Sequence, residues 1–297
     1  MNKTILQQIA NTLYVNVQHV KQYGLLQGKL GIAIFFYHYA QHTGDKSFND
    51  FSDEYIQTIF STLDKSLPKE FTNGFSGIGW GINYIIKQGF VEADDDTLEN
   101  IDLIMSKMNH SDYIKELESF MPLFSKGLYF IERDNKEIIE ETLYQIDIFL
   151  VKLSHDQIPT MYINSIIYFT LMAMKKELNS DLCEKILEKS FILIKKHNYS
   201  IIDKILLKKN RSLMNNEIIK WNQLLDNNND INNIHDINII NFIFSQGEQV
   251  NINMDILYNM AFKTIRQLNY NYLSIYHGLA GVGISIIKNS IMSNQLD

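Results

Sequence analysis

Cysteine occurs once in the 297 residues, at Cys183, so no intramolecular disulfide can form. A zinc site built from several thiolates is excluded with it. Proline occurs three times, at Pro68, Pro122 and Pro159, and no stretch reads as a Gly/Ser linker. Residues 1–297 therefore read as a single domain, long enough to bury a core without disulfide or metal staples. Long apolar runs are also missing. "IAIFFYHYA" and "SIIYFTLMAM" stop after about ten residues, where a helix crossing a bilayer needs about twenty. The opening "MNKTILQQIANTLYVNVQHV" has no continuous apolar stretch of the signal-peptide kind, so a soluble, cytoplasmic protein with no membrane span is expected. Basic residues are outnumbered, 27 against 34 acids for a net charge of −7, and the Lys pairs at 175–176, 195–196 and 208–209 are scattered. Nucleic acid is thus not the expected partner, because phosphate binding needs a basic stripe. The Asn-rich stretch 226–241 reads as a surface loop running into a helix, with a disordered insertion as the alternative.

Glycine is present but unevenly placed. "LLQGKLGIAIFF", "FTNGFSGIGWGI" and "IYHGLAGVGISI" align without gaps on Gly28/Gly31, Gly74/Gly77 and Gly278/Gly281. Each continues with Ile or Val, a small residue (Ala33, Gly79, Gly283) and an apolar run. "PLFSKGLYFI" carries a weaker copy at Gly127. Gly28 and Gly74 lie 46 residues apart, Gly74 and Gly127 lie 53 apart, and 151 residues, about three more such steps, separate Gly127 from Gly278. A period near 50 predicts a repeat architecture of about six units.

Two kinds of helix alternate within that period. Before the motifs come amphipathic segments: Ile5, Ile9, Leu13 and Val17; a stripe from Tyr55 to Leu67; then segments near 97–108, 137–153, 182–196 and 252–268. After them come runs that are apolar nearly all round, such as "GWGINYII" and "INSIIYFTLMAM". One wet face marks an outer helix, and none marks an inner one. The expected fold is all-α, an α/α toroid (barrel) of about six helical hairpins with inner and outer rings. The glycines are read as supplying unusual backbone angles at the turns and close spacing of the inner helices. "IHDINIINFIFSQ" is the candidate for the fifth inner helix.

These units, with "YHYAQHTGD" after the first and "HGLAG" near the C-terminus, resemble the lanthionine synthetase C-like (LanC-like) family. The resemblance is clear over 23–90 and 272–288 and rests on spacing between them. It implies a toroid, of seven hairpins in the family, that closes thioether rings in ribosomally made peptides by adding a cysteine thiol to a dehydroamino acid. It also implies a zinc ion that activates the thiol, held by Cys in a Trp-Cys-x-Gly motif and by a Cys-His-Gly motif. Here "YHG" places His277 where a ligand is expected and Tyr276 where its cysteine partner would be. Trp221 is followed by Asn222, and Cys183 lies in an outer-helix pattern. One ligand cannot hold a catalytic zinc, which takes three from the protein. No metal site is expected and no cofactor, although zinc is what the resemblance would suggest. The family's acid, four residues before the second-unit glycine, corresponds to Glu70, and its third-unit histidine is replaced by Lys126.

The candidate catalytic residues are therefore His277 and Glu70, and the candidate substrate-binding residues are Tyr276, Asn73, Lys126 and Trp80. Each has a plainer reading: His277 as a turn residue, Asn73 as a helix cap, Tyr276 and Trp80 as core aromatics. His38 and His42, at i and i+4, lack the H-E-x-x-H pattern of a zinc helix. The expected partner is a precursor peptide or a peptide-modifying enzyme. The activity is cyclase-like, with a non-catalytic scaffold (a pseudoenzyme) as the alternative. A carbohydrate-active toroid ranks last, since only Glu70 stands at a motif and that chemistry needs two carboxylates.

Overall fold

The computed structural model describes residues 2–64, 66–94, 96–152, 158–194, 206, 210, 242–244 and 253–293. The described residues form helices and no strand: α1 (Asn2–Asn16), α2 (Lys29–Thr43), α3 (Ser47–Thr62), α4 (Phe75–Lys87), α5 (Glu99–Ser106), α6 (His110–Leu117), α7 (Ser125–Arg133), α8 (Lys136–Lys152), α9 (Thr160–Lys175), α10 (Ser180–Ile194), α11 (Met254–Arg266) and α12 (Leu279–Ser293).

Burial separates the two rings as the patterning predicts. Every residue of α2 from Leu30 to Ala40 is buried, and nearly all of α9 is, whereas α3 buries only Ser52, Ile56 and Ile59. Residues three and four apart share a helix face, so α3 packs on one side while α2 is enclosed. Each fully buried Leu, Ile or Phe contributes roughly 1.5–3 kcal/mol, so the inner ring carries most of the stability. Inner helices neighbour one another in chain order: α2 packs on α4, α4 on α7 and α7 on α9. The last inner helix, α12, packs back on α2, and α1 lies against both α11 and α12. The fold is thus an α/α toroid in which the last unit closes on the first. The 97–108 stripe folds as α5, and a second short helix follows it, started by Asn109: its side chain accepts from Ser111 N–H while the Asp112 carboxylate accepts from Asn109 N–H.

The period is written into the rim hydrogen bonds. Asn73 Nδ2 donates to Gln27 Oε1 across 46 residues, Ser76 Oγ to the Ser125 carbonyl across 49, Phe124 N–H to Ser165 Oγ across 41, and Asn210 Nδ2 to the Asn164 carbonyl across 46. Leu206 and Asn210 are buried and helical, well ahead of the stretch expected to hold the fifth inner helix. Of that stretch only Phe242–Phe244 are described; the rest, the 226–241 stretch, Trp221 and most of 198–250 lie outside the described residues.

Two expectations about glycine need correction. Gly28 (φ −120°) and Gly74 (φ −99°) cap α2 and α4 in extended backbone that any residue adopts. They are needed for space: a Cβ on Gly74 would overlap the Pro68 carbonyl, and one on Gly278 the Ser274 carbonyl. Gly127 is not a turn residue. It is the third residue of α7, where a Cβ would run into the rings of Phe124 and Phe169. The third unit's turn lies at Phe124–Ser125, so glycine spacing misaligned that unit.

Candidate functional site

All inner helices begin at the same end of the ring, and the turns that start them are tied together there. Tyr276 N–H donates to the Leu26 carbonyl at 2.8 Å, Leu26 N–H donates to the Thr72 carbonyl at 3.0 Å, and Ser274 Oγ donates to the Gly28 carbonyl at 2.8 Å. Units six, one and two therefore share one knitted rim. His277 enters it in left-handed backbone, φ 54°, immediately before α12. A non-glycine residue there costs roughly 1–2 kcal/mol, so the surrounding turn must hold it in place. Its ring packs on Tyr276, centroids 3.7 Å apart, and both residues are half-buried.

Glu70 stands on the neighbouring turn, but both its oxygens are engaged. Thr72 N–H donates to Oε2 at 2.5 Å and Asn73 N–H to Oε1 at 2.7 Å. The carboxylate closes its own turn ahead of α4. Asn73 does not cap α4; its side chain bonds Gln27 instead, which joins the first two turns. His277, Tyr276, Glu70 and Asn73 all lie on this rim.

Trp80 and Lys126 do not. Trp80 is buried halfway down α4, stacked on Tyr84 and edge-on to Phe71 and Phe242. Lys126 is fully buried, and its ammonium points to the outer ring, donating to the carbonyls of Ser106 and Met108 and to Gln145 Oε1, with Glu141 at 3.6 Å. As the second residue of α7, one step into the helix, it turns away from the rim. Substrate contact by Lys126 gives way to a structural role, a cation holding the end of α5 to α8.

The sequence did not single out Glu116, a buried carboxyl of α6 that receives the Tyr162 hydroxyl at 3.0 Å. Burial pushes its pKa up to about 8, against the pull of the Ser125 and Tyr162 hydrogen bonds, and the nearby Glu70 charge adds to the rise. The rim thus has the Glu70 carboxyl on one turn and the buried Glu116 carboxyl just behind the next. The available signal was an acid on the apolar face of α6, three residues from buried Tyr113.

The opposite end of the ring differs in chemistry. His38, Tyr84 and Lys288 are the tenth residues of α2, α4 and α12. His38 Nε2 lies 2.7 Å from Tyr84 Oη, and burial, with the Lys288 charge nearby, drives its pKa down to about 3. Lys288 sits over the rings of Tyr84 and Phe242, and burial lowers its pKa to about 8. Phe242 touches Trp80 and Tyr84 of α4, while Phe244 touches Tyr168 of α9. One short segment thus meets α4, α9 and α12, which are not ring neighbours, so it fills the inside of the ring. His42 is exposed and shares no site with buried His38.

The residues do not fit the zinc that the fold suggests. The chain's single thiol, Cys183, is buried in the outer helix α10, where burial pushes it up to about 12 and it donates to the Leu178 carbonyl. Among the described residues the knitted rim supplies the His277 imidazole and no thiolate, and no group of three or more potential ligands occurs. No step is derived through a metal.

A closed double ring of helical hairpins, with short turns collecting polar side chains at one end, defines an α/α toroid. Residues 19–161, just under half of the chain, match the model of the lanthionine synthetase C-like protein family. The match covers the first three units and the start of the fourth. Among curated proteins, none matches the chain. No described helix is long and apolar enough to cross a membrane.

Proposed function

We propose that this chain is a LanC-like protein that receives a ribosomally made, dehydrated peptide at the turn end of the ring, in the cytoplasm, and assists addition of a substrate cysteine thiol to a dehydroamino acid without a zinc-bound thiolate. The observation that carries this reading is His277: an imidazole held in a strained backbone on a rim knitted from three units. An imidazole titrates near neutrality, so it can accept the thiol proton and return one to the carbon left anionic by the addition. Glu70 shapes the turn beside it. Tyr276 and Asn73 line the approach.

A second reading is a scaffold that holds the peptide or a modifying enzyme without chemistry. It is favoured by the engagement of Glu70, whose two oxygens are spent on backbone amides, leaving no second base on the same turn. The test is to incubate the full chain with a peptide bearing one dehydroalanine and one cysteine, following peptide capture and loss of free thiol. Catalysis predicts accelerated thiol loss that falls to the uncatalysed rate in His277→Ala while capture persists. Capture with no acceleration supports the scaffold. Neither would reject both readings.

A further inference from the structure

The loop between α6 and α7 buries Met121, Leu123 and Phe124 but leaves Phe120 73% exposed. Single exposed apolar side chains are ordinary on a protein surface, and Phe120 is set apart by what its ring touches. The Phe120 ring meets Tyr276 edge-on, centroids 5.6 Å apart and planes at 84°. These residues belong to the third and sixth units. Among the described helices α7 packs on α4 and α9 while α12 packs on α2, so the loop before α7 and the turn before α12 belong to units that are not neighbours in the ring. Neighbouring helices pack about 8–10 Å apart, so units that are not neighbours stand further from each other than one such spacing. Phe120 therefore reaches beyond its neighbouring units to touch Tyr276. Tyr276 is then held twice: by its backbone on Leu26 of the first unit, and by its ring against Phe120 of the third. The same ring packs on His277.

We propose that Phe120 is a positioning residue for His277, acting through Tyr276 as an aromatic clasp between units that are not neighbours. His277 occupies a backbone conformation that its own side chain disfavours, so its placement depends on what packs around it. The turn from Ser274 to Gly278 supplies one support, and the clasp supplies the other from another unit. The proposal deepens the reading of His277 as the working group, but its geometry stands without any reaction.

The test uses the full chain and diethyl pyrocarbonate, which acylates imidazoles. The rate is read by mass spectrometry on the fragment containing His277. An edge-to-face pair corresponds to roughly a fivefold shift in an open–closed balance. Phe120→Ala is therefore expected to acylate His277 about fivefold faster with an unchanged melting temperature, since the side chain it removes is mostly in solvent. Phe120→Tyr should keep the wild-type rate. Tyr276→Leu should match Phe120→Ala, and the double variant should be no faster than either single one, because both break the same clasp. A Phe120→Ala rate equal to wild type would overturn the proposal, as would rates that multiply in the double variant. No peptide enters the assay, so a chain that turns over nothing yet shows the clasp would sink the catalytic reading alone.

Discussion

The two ends of the inner ring are built from the same helices and do opposite things with their polar groups. At the turn end, polar atoms bond across units and leave Tyr276 and His277 half-open to solvent. Ten residues further along α2, α4 and α12, about 15 Å by helical rise, His38, Tyr84 and Lys288 are walled in by Trp80 and Phe242. Burial moves pKa values at that end in the direction that removes charge, and Lys288 has no carboxylate beside it among the described residues. The difference teaches that perturbed titration alone does not mark the proposed working face of this ring. The large depressions of His38 and Lys288 belong to the filled end, while His277, the proposed working group, stands on the half-open rim.

That contrast can be broken by substitution. The largest effect is expected from Phe242→Ala at the filled end, which removes a ring 3% exposed and leaves a cavity among Trp80, Tyr84 and Lys288. About 3–5 kcal/mol of stability should be lost in denaturant unfolding, with peptide capture retained under folding conditions. Lys126→Met comes next. It strips the donor from the Ser106 and Met108 carbonyls and should cost about 2–3 kcal/mol, again without weakening capture. Weakened capture in a Lys126→Met protein of unchanged stability would return Lys126 to the substrate face.

Glu116 sharpens the comparison through pH. Its folded pKa, about 8, lies above the ordinary 4.5, so the fold favours the neutral carboxyl. That contribution is complete below the ordinary value and is lost progressively as pH rises toward 8, because the unfolded chain ionises first. Glu116→Gln should therefore stabilise by roughly 1–3 kcal/mol at pH 8 and leave stability unchanged near pH 4, read from melting curves at the two pH values. The smallest stability effect is expected at His277. His277→Gly relieves the left-handed backbone and should stabilise by about 1 kcal/mol while abolishing thiol-addition activity. Gained stability with activity retained would remove His277 from the chemistry.

Most of the ring was legible because burial leaves a periodic trace: α2, α4, α9 and α12 lie where the all-round apolar runs place them. The third unit was misaligned because its turn uses Phe124 and Ser125 in place of glycine, so the nearest glycine, Gly127, drew Lys126 onto the rim by mistake. Tyr276, His277, Glu70 and Asn73 lie at the turn end, as their spacing from Gly278 and Gly74 implies. Glu116 left only a faint local trace, an acid on the apolar face of α6, and Phe120 left none. One matters through Tyr162, 46 residues away in sequence, and the other through Tyr276 in a unit that is not its neighbour. Contacts of that range are set by ring closure, which spacing predicts in number but not in register.

The most direct measurement is hydrogen exchange on the full chain, with and without a dehydrated cysteine-bearing peptide. The account predicts added protection confined to the turn end, at residues 23–31, 70–77 and 273–281. Protection centred on 36–40, 82–88 and 284–290, or none at saturating peptide, would contradict it.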